Sequence, residues 1–122
     1  MQGVIELDKK DFITYDAVEL AGLVRAKEVT PLELVQASIA QHDEVNGIMN
    51  AVVHHRFERV LEDAAKVEEG RPLSGVPFLL KDISQSLKGE RITSGARLFE
   101  QFQAEETSHF VRTLEEAGLL FT

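Results

Sequence analysis

Apolar residues along this chain fall into stretches of helical spacing separated by short continuous runs. Ala17, Leu20, Leu23 and Val24 follow the capping pair Asp16 and Glu19 at steps of three and four, which predicts a helix over about residues 16 to 27. Thr30 as cap, Pro31 at the first helical position and Glu33 as reciprocal acceptor mark a second helix, with Leu32, Val35 and Ile39 on one face. Val45 lies near its end and Asn46-Gly47 supplies the stop. Ile48 to Val53 is short and apolar and reads as a buried strand. Phe57, Val60, Leu61, Ala64 and Ala65 form the most regular stripe in the chain and predict a third helix, closed by Gly70, Arg71 and Pro72.

Gly75 to Leu80 reads as a second buried strand, with Pro77 at its start or on an edge, and it delivers Lys81 and Asp82 at its C-terminal end. Residues 83 to 104 are polar and aperiodic, with Gly89 and Gly95 as turn positions; a loop this long in a compact domain usually serves function. Thr107 caps a last helix in which Phe110, Val111, Leu114 and Ala117 share a face and Gly118 terminates it. Leu119 to Thr122 opens another strand with no turn residue to release it, so the chain is expected to be cut from a longer one. The alternation of helices and strands gives an α/β class, with helices packed on the first strands of a mixed sheet.

The length of 122 residues accommodates one domain or a piece of one. Hydrophobic residues at 43% and charged residues at 28% are ordinary globular usage, and a net charge of -8 repels a phosphate backbone, so nucleic acid is not an expected partner. With no cysteine there is no disulfide, thiolate metal site or Cys nucleophile, which is compatible with a cytoplasmic location. No signal-like segment opens the chain and no apolar run approaches the roughly 20 residues of a membrane span, so neither targeting nor a membrane is expected.

Lys81 follows a run of glycine, proline and apolar side chains, which predicts a desolvated ammonium. Burial disfavours the charged form of a lysine, whose reference pKa is about 10.4, and a neutral amine serves as a general base near neutral pH. The other reading is a strand-end lysine whose stem covers apolar surface while its head reaches water. His54 and His55 with Glu58 and Glu62 lack a ligand geometry, because adjacent strand residues point to opposite faces; no metal or cofactor is expected. The pairs Glu68-Glu69, Glu105-Glu106 and Glu115-Glu116 read as wet helix faces or ends.

The segment Gly75-Val76-Pro77-Phe78-Leu79-Leu80-Lys81-Asp82 resembles the Gly-hydrophobic-Pro-x-x-x-Lys-Asp segment of the amidase-signature family. Thr30-Pro31-Leu32-Glu33-Leu34 resembles that family's early helix start, and Asn46-Gly47-Ile48-Met49-Asn50-Ala51 its entry to the first strand. Gly89 with Thr93-Ser94-Gly95, and Phe110 through Ala117-Gly118, resemble two further segments in the same order. The wording Phe78-Leu79-Leu80-Lys81-Asp82 is similar to that of hydrolases of cyclic and linear oligoamides.

The resemblance implies an amidohydrolase acting on a small-molecule amide by a Ser-cis-Ser-Lys mechanism. Lys81 takes the place of the catalytic lysine and Asp82 supports the site. Both serines of the family pattern are expected downstream of Thr122, since Ser84, Ser86, Ser94 and Ser108 do not sit in the signature's context; Ser84 and Ser86 are expected to satisfy backbone groups. Residues 1–122 are thus expected to be the N-terminal fragment of a single amidase domain, contributing the lysine and inactive alone. The alternative is a non-catalytic interaction module that self-associates through the apolar surface and open edge of its unfinished strand.

Overall fold

The computed structural model describes residues 7–122. The opening segment, residues 1–6, lies outside the described residues. In chain order the elements are α1 (Lys9–Phe12), α2 (Ala17–Arg25), α3 (Pro31–Met49), α4 (Phe57–Ala64), β1 (Pro77–Phe78), α5 (His109–Glu116) and β2 (Leu120–Phe121), with a 3-10 turn at Arg97–Phe99. None of these helices is long and apolar enough to cross a membrane.

Local capping chemistry starts the helices. Asp16 accepts from the Glu19 amide at 2.9 Å while the Glu19 carboxylate accepts from the Asp16 amide at 2.8 Å, the reciprocal box expected for α2. Thr30 and Glu33 build the same box ahead of Pro31 in α3. The cap of α5 is Ser108, one residue beyond the expected Thr107, whose hydroxyl instead accepts from the Lys88 amide at 3.0 Å. α1 had no signature among the expected elements; Asp8 Oδ1 accepts from the Lys10 and Asp11 amides and starts it.

Helix α3 runs through the Asn46-Gly47 stop to Met49, and Asn50, left-handed at φ 47°, ends it. The expected buried strand over 48 to 53 does not form. The Asn46 amide takes its place: Oδ1 accepts from the Ala51 and Val52 amides at 3.0 and 2.9 Å, and Nδ2 donates to the Val52 carbonyl at 3.0 Å. These backbone groups have their partners without a neighbouring strand. Ile48 and Val53 are accordingly 89% and 61% exposed. Helix α4 ends at Ala64, well before Gly70.

The strands β1 and β2 pair in parallel, with Pro77 opposite Leu120 and Phe78 opposite Phe121, and Pro77 stands first in an edge strand as its missing donor requires. The pairing extends N-terminally, where Gly75 N donates to the Gly118 carbonyl at 3.0 Å and Leu73 N to that of Ala117 at 2.8 Å. Successive residues of β2 enter different cores. Leu119 and Phe121 join Leu20, Leu34, Val76 and Val111, whereas Leu120 joins Val35, Val60 and Ala64. Helix α3 serves both cores through Leu34 and Val35, which leaves Leu32 39% exposed rather than on the buried face. On α5, Val111 is fully buried but Phe110 is half exposed.

The apolar strand Leu119 to Phe121, expected to leave exposed surface, is buried on both faces as parallel strands are. The acidic pairs at 68–69, 105–106 and 115–116 lie exposed; Lys27, at 2.6 Å, hydrogen-bonds Glu69 and holds its carboxyl below the usual range.

Gly118, at φ +97°, has the Ser74 backbone where its Cβ would stand: Ser74 Cα would be 2.7 Å away. Gly118→Ala is expected to cost at least about 2 kcal/mol, from the left-handed penalty and the backbone clash together. Gly47 inside α3 meets nothing within 4 Å, so Gly47→Ala is expected to stabilise by about 0.5–1 kcal/mol. Urea denaturation of the two variants measures the contrast.

Candidate active site

The two parallel strands end side by side, and in open α/β folds ligands collect beyond the carboxyl ends of the strands. Here Leu80, Lys81 and Asp82 follow β1, Thr122 follows β2, and a cavity of ≈ 230 Å³ opens between them and residues 51–54. Gln85, Glu90 and Arg91 complete the far wall.

Lys81 lies on this cavity and is exposed. Of the two readings of Lys81, the strand-end lysine whose head reaches water is the one found in this chain, because burial fades along the run that precedes it, from Val76 at 3% to Leu79 at 54%. Its backbone amide donates to Gln85 Oε1 at 2.8 Å. Among the described residues the Lys81 ammonium has no ion-pair partner.

Asp82 is committed to the loop that follows. Its Oδ1 accepts from the Thr93 amide at 2.7 Å, its Oδ2 accepts from the Thr93 hydroxyl, and its carbonyl accepts from the Ser94 amide at 2.8 Å. The Thr93 hydroxyl in turn accepts from the Gly95 amide at 3.2 Å. Thr93 is 8% exposed, so these partners replace water for groups that have little access to it.

The loop over residues 83 to 104 is an irregular hairpin rather than a structureless connection. Arg91 and Gln103 form an antiparallel bridge, flanked by bonds from Gly89 N to the Ala104 carbonyl at 2.8 Å and from Ala104 N to the Glu90 carbonyl at 2.9 Å. Ser84 takes a left-handed backbone at φ 61°, and Ser86 offers its carbonyl to the Ser108 amide at 3.0 Å. These are backbone roles, unlike the hydroxyl contacts expected of both serines.

A charged network reaches the same cavity through Arg56 and Glu90. Arg56 Nε donates to Glu90 Oε1 at 3.1 Å, and Arg56 Nη1 donates to the Phe121 carbonyl at 2.9 Å and to Asp63 Oδ2 at 3.3 Å. Arg59 Nη1 reaches the same Glu90 oxygen at 3.3 Å, and His54 Nε2 lies 3.5 Å from the other. The two neighbouring histidines diverge, since His55 stacks on Phe57 at 3.9 Å and lies edge-on to His42 at 5.7 Å. The sequence reading brought Lys81 and Asp82 to one strand end but missed Arg56, Glu90 and the partnership of Thr93 with Asp82. Glu90 lies 34 positions from Arg56, and Phe121 lies 65, separations at which no local pattern signals contact.

The amidase family model matches residues 33–122. The chain is 42% identical over 111 residues to a lipoamidase of Enterococcus faecalis, which covers 90% of this chain and 15% of the relative. It is 34% identical over 107 residues to a 6-aminohexanoate-cyclic-dimer hydrolase of Pseudomonas sp. (strain NK87), covering 86% of this chain and 21% of that one. A solved structure of 6-aminohexanoate cyclic dimer hydrolase complexed with substrate superposes with a TM-score of 0.81 at 32% identity, over 88% of this chain and 22% of that chain. These curated relatives are thus several times longer than the chain.

The geometry separates the two neighbours that follow β1. Asp82→Ala removes the acceptor of a buried hydroxyl and amide and is expected to cost about 1–3 kcal/mol, with faster hydrogen exchange at the Thr93 amide than at the Ser94 amide, whose acceptor is the Asp82 backbone carbonyl. Lys81→Met, at an exposed and unpaired position, is expected to shift stability by less than about 0.5 kcal/mol. Urea denaturation with amide exchange read by NMR checks both.

Proposed function

Because this chain belongs to the amidase family, we propose that its parent protein hydrolyses the C–N bond of a small-molecule carboxamide, with Lys81 as the general base. The observation that carries this reading is the position of Lys81: it stands inside the family match, past the end of a parallel strand, on the cavity wall, with no ion-pair partner for its ammonium among the described residues. In the proposed reaction a neutral Lys81 amine takes a proton, relayed by a bridging serine, from a second serine hydroxyl. That oxygen attacks the amide carbonyl. The tetrahedral intermediate expels the amine, which takes the proton back, and water then hydrolyses the acyl-serine.

Asp82 has a holding role in this scheme, since both its carboxylate oxygens accept from Thr93. The serines are proposed to come from sequence other than these residues. Supporting this, the Ser108 hydroxyl caps α5 by accepting from the Val111 amide, and the Ser94 amide is bound to the Asp82 carbonyl in the hairpin. The 122 residues by themselves are then inactive. Relatives named lipoamidase and 6-aminohexanoate-cyclic-dimer hydrolase agree with a small amide as substrate.

A second reading, assembly through apolar surface, is favoured by one observation: Ile48, Met49 and Val53 stand 89%, 68% and 61% exposed along one short segment. Such a contiguous stretch suits a protein contact. Light scattering separates this from the first reading, because a concentration-independent monomer would remove it.

For the amidase reading, amine release is measured from a polypeptide in which residues 1–122 are continued by a serine-bearing remainder. Lys81→Ala is expected to lower kcat about 10²–10⁴-fold, the usual range for loss of a general base. Activity that survives this substitution, or hydrolysis by the 122-residue chain alone, would sink the proposal.

A further inference from the structure

Arg56 is the most heavily bonded side chain on the cavity wall, and neither the helix stripe nor the lysine segment accounts for it. Its side chain is 15% exposed, as is that of Glu90. A guanidinium withdrawn from water to this extent needs acceptors, and three from separate segments take up its Nε and Nη1 donors: the Glu90 carboxylate, the Asp63 carboxylate and the Phe121 carbonyl.

The Phe121 contact bears on the sheet. Leu120 and Thr122 donate their amides to β1, at 2.9 and 3.1 Å, so the backbone groups of Phe121 between them face the other edge of β2. Arg56 Nη1 takes the carbonyl on that edge. The Nε of the same planar group holds Glu90, the residue that anchors the near arm of the hairpin through the bond of its carbonyl with Ala104. One rigid fork therefore links the end of β2 to the Glu90 arm of the hairpin, and Phe121, Arg56 and Glu90 line the same cavity as Lys81.

We infer that Arg56 is a positioning residue of the amidase site, which holds the wall of the Lys81 cavity in shape by pinning the Glu90 arm to the C-terminal end of β2. Arg56 touches no reacting atom in this scheme; it acts through Glu90 and Phe121. The inference rests on the amidase reading above. A lysine at this position keeps the charge but carries its three donors on one nitrogen, so it lacks the planar fork that spans both acceptors.

The test uses the same continued polypeptide and hexanoyl p-nitroanilide as probe, with Lys81→Ala, Arg56→Lys and Arg56→Ala measured in parallel. Arg56→Lys is expected to lower kcat about ten- to a hundredfold, the scale of an ångström of misplacement, with the thermal midpoint within a few degrees of wild type. Added ethylguanidinium is expected to restore part of the activity of Arg56→Ala, a rescue that a role in stability alone does not produce. Arg56→Lys with kcat and KM within about twofold of wild type would overturn the inference, as would full activity in Arg56→Ala without added guanidinium. An active Lys81→Ala instead overturns the amidase reading, so the two failures are distinct.

Discussion

A single hydrogen bond between two left-handed glycines, Gly75 N–H to the Gly118 carbonyl, sets the register on which the rest of the structure depends. Each glycine occupies space that a Cβ would need: at Gly75 the Pro31 ring stands 2.7 Å from that position, and at Gly118 the Ser74 backbone does. The start of α3, the turn before β1 and the end of α5 thus meet at one point with no side chain between them. From there the strands run in parallel, and a slip of one residue would exchange the faces of Leu120 and Phe121. Both cores would lose their contribution from β2, because Phe121 belongs with Val76 and Val111 and Leu120 with Val60 and Ala64.

This arrangement explains which parts of the fold could be read from the sequence. Caps and breakers act within a few residues, so Asp16 with Glu19, Thr30 with Glu33, and Gly118 identify helix ends that the structure places within a residue or two. Pro77 at the head of an edge strand follows from its missing N–H. The run from Ile48 to Val53 has the composition of a buried strand, but composition does not say whether a neighbouring strand is present. The deciding group is the Asn46 side chain, which satisfies the Ala51 and Val52 amides locally. The α4 stripe was visible, yet the helix ends at Ala64 although Val67 beyond it still packs on the same core, so apolar spacing alone did not fix the helix end.

The site divides along the same line. Lys81 and Asp82 share a strand end, and that is local information. Their environments are not local: Thr93 lies eleven positions from Asp82 and is found only once the hairpin folds back. The choice between a desolvated and a solvated Lys81 was out of reach of the sequence for a related reason. An apolar run before a lysine buries it only where another layer covers the strand, and Leu79 shows that cover ending before Lys81 is reached.

Around Lys81 the polar groups sort by function. Asp82 is taken up by Thr93, and Glu90 by Arg56 and Arg59, so the hairpin hangs from the body of the protein at two points with the cavity between them. Such groups hold; their hydrogen bonds are already made, and altering them costs structure before it costs chemistry. An ammonium left without a partner contributes little to folding, and its position is unconstrained by stability. A lysine acts as a base only when its surroundings remove water from it. In the proposed enzyme the layer that covers Lys81 would therefore supply both the serines and the desolvation, so that the nucleophile and the basicity of its partner arrive together.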